Sequence, residues 1–101
     1  MADVHTQACP LCSNVSRYDL VAENGGVRRK LFCCDVCTDF LITPDAEEWL
    51  ASQPRKCEEL SNLSTFLWGD LLLHIFMEQE GETRALLAIP DAKENWQPVP
   101  A

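Results

Sequence analysis

The sequence predicts an α+β domain in which a metal-stapled β-hairpin with three short strands packs against two or three helices. Three observations carry this expectation. The chain has 101 residues, 47% of them apolar, which suits one domain with a modest core. Two C-x2-C pairs, Cys9/Cys12 and Cys34/Cys37, bracket 21 residues that contain a hairpin signal. Beyond them the apolar spacing changes to three and four residues, the period of an amphipathic helix. The expected layout is a single domain over 1–101, with a metal-binding β part at 9–42, a helical part at 43–80 and a loose tail at 90–101.

Each element has its own warrant. Residues 17–22 and 27–33 are β-compatible and are separated by Glu23-Asn24-Gly25-Gly26; Asn-Gly between two such segments favours a tight hairpin turn. The stretch TDFLI, residues 38–42, reads as a third strand. In TPDAEEWL, Thr43 suits an N-cap and Pro44 the first helical position, while Asp45, Glu47 and Glu48 place negative charge where the helix dipole favours it. Leu60, Leu63, Leu67, Leu71 and Ile75 continue the helical period, giving one long helix or two meeting near Gly69 and ending at Gly81. Residues 83–89 are a candidate last strand, and three prolines mark the tail.

The six cysteines decide most of the chemistry. The N-terminus MADVHTQA lacks a basic start and an apolar run, so it does not read as a secretory signal, and unsignalled cysteines read as reduced thiols of a cytoplasmic protein. A hairpin between the two pairs brings Cys9, Cys12, Cys34 and Cys37 together, and four thiolates at that spacing suit tetrahedral zinc. Cys33 competes with Cys34 for the third position but makes the less usual C-x3-C. Cys57, on a helical apolar face, reads as a small buried hydrophobe. The rival chemistry is a thiol oxidoreductase working through Cys9 and Cys12, since CPLC resembles the C-P-x-C motif of glutaredoxin-like proteins; that fold needs a strand before the motif and a helix after it, and neither is expected here. The two histidines, His5 and His74, read as a tail residue and a core-edge residue, so no catalytic base is assigned and no enzyme is expected.

Formal charge is −8, and it is uneven: residues 1–30 sum to +1 and the remaining 71 to −9. Such a surface repels nucleic acid and attracts basic proteins. The one basic cluster, Arg28, Arg29 and Lys30 with Arg17 nearby, makes a poor phosphate footprint and supports only a secondary reading, direct nucleic-acid binding by a transcription-accessory protein. Glu47, Glu48, Glu58, Glu59 and Asp70, with Trp96 as an aromatic anchor, are the candidate partner-binding residues. The apolar run around Leu71 to Met77 is far shorter than the roughly 20 residues of a membrane span and, as part of a helix, makes a candidate homodimer face.

Together CPLC, KLFCCDVC, FLIT and DAEEWL resemble the zinc-ribbon or zinc-knuckle modules of small bacterial and phage proteins, over residues 9 to about 52. The resemblance implies zinc held by Cys9, Cys12, Cys34 and Cys37 as a scaffold, with no single activity attached. Such modules commonly carry a glycine after each knuckle, where this chain has Ser13 and Thr38. The functional expectation is a small acidic, zinc-stabilised module that binds another protein, and an inhibitor that occupies the basic surface of a nucleic-acid-binding protein is its sharpest form.

Overall fold

The computed structural model describes residues 5–22, 28–67 and 69–98. Strands β1 (His5–Ala8), β2 (Val15–Ala22), β3 (Arg29–Cys34) and β4 (Thr38–Ile42) run antiparallel to one another in chain order. Helices α1 (Pro44–Leu50) and α2 (Pro54–Phe66) then cross over to β5 (Leu71–Glu80), which lies parallel to β4, and β6 (Thr83–Ala92) returns antiparallel to β5. A 3-10 turn at Lys93–Asn95 leads to β7 (Gln97–Pro98), which pairs with β2. The sheet order is β1-β2-β3-β4-β5-β6. The β2–β3 pairing fits the expected hairpin, whose Asn24-Gly25 turn lies outside the described residues, as does Trp68.

Among the described residues this is a mostly-β mixed sheet with two helices, and it overturns the expected α+β arrangement of a three-stranded hairpin under two or three helices. The difference arises at β5. Strand β5 lies between β4 and β6 and is buried on both faces from Leu72 to Ile75, and such a strand is an apolar run whose spacing also matches a helix. Leu73 and Ile75 enter the core on the helix side, whereas Leu72 enters the core on the other. The helical part therefore ends at Phe66, and there is no helical dimer face over Leu71–Met77. Where α1 was expected it forms: Thr43 Oγ1 accepts the Ala46 amide at 3.4 Å, with Pro44 in the first turn.

The helix-side core joins Phe32, Phe40, Ile42, Leu73 and Ile75 of the sheet to Ala46 and Leu50 of α1 and Cys57 and Leu60 of α2. On the opposite face Val21, Leu41 and Leu72 are covered by Trp96. The tail is thus a strap rather than a loose end. Trp96 Nε1 donates to Asp91 Oδ2 at 3.1 Å, the Arg29 guanidinium lies 4.8 Å from the Trp96 ring centre, and Lys93 Nζ reaches Asp39 Oδ2 at 2.8 Å. Trp96 is only 6% exposed, so it is a core residue and not an exposed anchor, whereas Trp49 is 38% exposed.

His74 sits under this strap, its ring 4.9 Å from Trp96 and its Nδ1 3.6 Å from Asp91 Oδ2, while its Nε2 is buried and unpartnered among the described residues. Burial, helped by Arg29 and opposed by Asp91, lowers its pKa below 6.5. The fold therefore holds this imidazole neutral, and because the unfolded chain binds the proton more readily, stability is lost as pH falls below 6.5. Urea midpoints measured between about pH 7 and pH 5 should fall less in His74→Phe than in the native chain.

Candidate metal centre

Each cysteine pair occupies a tight turn next to a strand. Cys9 follows β1, and its turn closes through Cys9 N to Asn14 O at 2.7 Å and Ser13 N to Cys9 O at 2.8 Å. Cys34 ends β3, and Cys37 directly precedes β4. Because β2 separates the turns in sequence but joins β1 to β3 in the sheet, both turns come to the same end of the sheet. Their side chains converge: the ligand atoms of Cys9, Cys12, Cys34 and Cys37 all lie within 4.8 Å of one another. Cys9 and Cys37 sulfurs are 3.9 Å apart, and those of Cys12 and Cys34 3.4 Å.

These distances are a test of fit. Four sulfurs placed tetrahedrally about 2.3 Å from one zinc would be about 3.8 Å apart, and the two measured contacts bracket that value. The residues fit a four-sulfur metal site, compatible with a zinc-ribbon-like knuckle. Cys34, and not Cys33, supplies the third sulfur of this cluster. The strand alternation turns Cys33 toward the other face, where burial and the neighbouring Asp39 and Asp19 push its thiol pKa up. Cys57 is buried and donates to the Leu50 carbonyl at 3.3 Å, as befits a core thiol.

Around the sulfurs the donors are arranged for negative charge. The amides of Leu11 and Cys12 point at Cys9, and those of Val36 and Cys37 point at Cys34, together with the Ser16 hydroxyl. Asn14 Nδ2 donates to Cys12 Sγ at 3.5 Å, and the Ser61 hydroxyl lies 3.0 Å from Cys37 Sγ. Against these donors works burial, which pushes Cys9 up to about 12 and Cys37 higher still. At Cys34 burial is outweighed by the Ser16, Cys37 and Val36 hydrogen bonds, and its pKa falls to about 6. A divalent cation removes the conflict by compensating the charge that burial opposes, and coordinated thiols deprotonate.

The knuckle backbone explains the missing glycines. Ser13 and Thr38 both have φ of 68°, the only non-glycine residues in the left-handed region among those described. Each follows the second cysteine of its pair, where glycine is free of strain. At Thr38 the side chain compensates, its Oγ1 donating to the Ser64 carbonyl at 3.1 Å and lying 3.2 Å from the Ser64 hydroxyl. Ser61 and Ser64 thereby pin α2 to the second knuckle. Neither serine was singled out in the sequence, because the helix that carries them lies 24 residues or more beyond the knuckle and no local spacing links them.

The partner-binding candidates do not share one face. Glu48, Glu58 and Glu59 are exposed on the helices, and Asp70 precedes β5. Glu47 turns inward to Lys30 at 3.1 Å and Gln7 at 2.8 Å, whereas Trp96 lies behind the sheet. The basic cluster is dispersed too: Lys30 pairs with Glu47, Arg29 stacks on Trp96, and Arg17 and Arg28 are exposed. Among the described residues no helix is long and apolar enough to cross a membrane. No family model matches the chain, and neither a curated protein nor a solved structure matches it.

Two outcomes follow. Cys34→Ser, or chelation of the native protein, should lower Tm by roughly 15 °C or more, because metal binding is folding free energy in such sites; an unchanged melt would remove the metal from the fold. Ser13→Gly should raise stability by about 1 kcal/mol in denaturant titration, since glycine relieves the left-handed strain at φ 68°.

Proposed function

We propose that this chain is a small zinc-stabilised protein-binding module, with a metal centre that is structural and not catalytic. The observation that carries the reading is the convergence of four cysteine sulfurs within 4.8 Å, each approached by at least one hydrogen-bond donor. Zinc bound there supplies a cross-link between the two knuckles, and four sulfur ligands leave it no open position for water. Cys9 and Cys12 hold the first knuckle, Cys34 and Cys37 the second, and Ser16, Ser61 and the turn amides orient the sulfurs.

A thiol oxidoreductase is less well supported. Its nucleophile would be Cys9, which is 2% exposed and whose thiol burial pushes up to about 12, the reverse of an activated thiol. Direct nucleic-acid binding is weakened by the engagement of Arg29 and Lys30 within the fold. The charge of −8 instead favours a basic protein partner, met through Glu48, Glu58 and Glu59 on the helical side. In this reading the chain acts by covering that partner's basic surface, as an inhibitor of nucleic-acid binding would.

The reading separates local recognition from bulk charge. On immobilised polylysine at low salt, replacing Glu48, Glu58 and Glu59 by Gln should weaken retention more than the same change at Glu78, Glu80 and Glu82, and mixed DNA should not retain the native chain. Equal effects of the two triple variants would reduce the acidic face to net charge. Retention on DNA that is lost in Arg17→Ala/Arg28→Ala would favour the nucleic-acid reading.

A further inference from the structure

The two edges of the sheet are treated differently. At one, β1 is four residues long and β7 adds two more beside β2; short strands are a common protection of an edge. At the other, β6 runs for ten residues, and among the described residues nothing pairs with its outer side. From Ala85 to Ile89 this strand has no charged residue. A long apolar edge with a free row of amides and carbonyls is a template for another strand.

Register shows which groups are free. Strands β5 and β6 are joined by Gly81 and Glu82, closing on the pair Glu80 and Thr83. Gly81 has φ of 62°, as the first position of a type II′ turn requires, and a two-residue loop of this kind closes on a hydrogen-bonded pair. Counting back by the antiparallel alternation, Arg84, Leu86 and Ala88 present their amides and carbonyls outward. Pro90 falls at the next outward position, where its missing N–H costs the β5–β6 ladder nothing.

We propose that this edge is a self-association surface, on which a second copy of the chain pairs β6 to β6 antiparallel about a two-fold axis at Leu86. In that register Leu86 faces Leu86 of the second copy, and Arg84 and Ala88 face each other in both directions, so every outward amide meets an outward carbonyl. On one face smaller side chains stand against larger ones, Ala85 against Leu87 and Thr83 against Ile89, which is 45% exposed in the single chain. The arrangement also answers the charge of −8 per chain. Beside the turn, Glu82 stands four residues from the axis and Glu80, opposite Thr83, stands three, so at about 3.3 Å per residue they lie about 26 and 20 Å along the strands from their counterparts, more than twice the roughly 8 Å screening length. A parallel pairing would put them side by side.

Sedimentation equilibrium of the metal-loaded protein at submillimolar concentration tests this, with backbone amide exchange followed by NMR. The expected result is twice the 11.4 kDa chain mass and concentration-dependent slowing of exchange at Arg84, Leu86 and Ala88. Leu86→Pro removes an outward amide, and Ala85→Asp places a charge at an exposed position against the second copy's Leu87. Either variant should sediment as a monomer while keeping its far-ultraviolet circular dichroism and metal content, and if Leu86→Pro does not fold, Ala85→Asp alone decides. A native chain that stays monomeric overturns the proposal and leaves the edge to a foreign strand, and a folded Ala85→Asp dimer moves the interface elsewhere.

Discussion

Four thiols brought within 4.8 Å of one another in a largely buried setting form the constraint on which the rest of this structure depends. Burial raises the pKa of Cys33 and Cys57, and raises those of Cys9 and Cys37 despite the hydrogen-bond donors around them. Charging several sulfurs without a cation would set like charges against each other at short range in a poorly solvated space. The donors around them nevertheless favour the charged form. A cation bound there would make those two facts compatible, and the cysteines that would hold it lie in the turn after β1 and the turn between β3 and β4.

From those turns the architecture follows outward. The second knuckle holds α2 through Ser61 and Ser64, and α2 with α1 covers the helix-side core over β3, β4 and β5. The other face is closed by the strap, whose Trp96 shares Asp91 with Asn95 and whose Lys93 is held by Asp39. Asp91 has its pKa lowered, burial being outweighed by the Asn95, Trp96 and Ala92 donors, so the strap is fastened by a carboxylate that hydrogen bonds stabilise in its charged form. The cysteine cluster and the strap thus lie on opposite sides of one sheet.

What the sequence made legible was local and chemical. The two C-x2-C pairs and the signals around Thr43 and Pro44 depend on spacing within a few residues, and the sulfurs and the helix cap are found where that spacing places them. Strand β5 was illegible because Leu71 to Met77 is apolar on both faces, which erases the two-residue alternation and leaves a run that matches a helical stripe equally well. The strap was misread because prolines at 90 and 98 suggest a frayed end, yet Pro90 sits at an edge where no amide is needed. Ser61 and Trp96 act on distant residues, so only the fold reveals them. The left-handed φ of Ser13 and Thr38 lies between these cases: the departure from glycine was visible, and its geometry was not.

The most direct test is native mass spectrometry of freshly purified protein without chelator, followed by mass analysis after thiol alkylation. One zinc per 11.4 kDa chain, with Cys9, Cys12, Cys34 and Cys37 protected from alkylation until the metal is removed, is the result this account predicts. A folded, metal-free chain, or one with Cys9 and Cys12 joined as a disulfide, would contradict it.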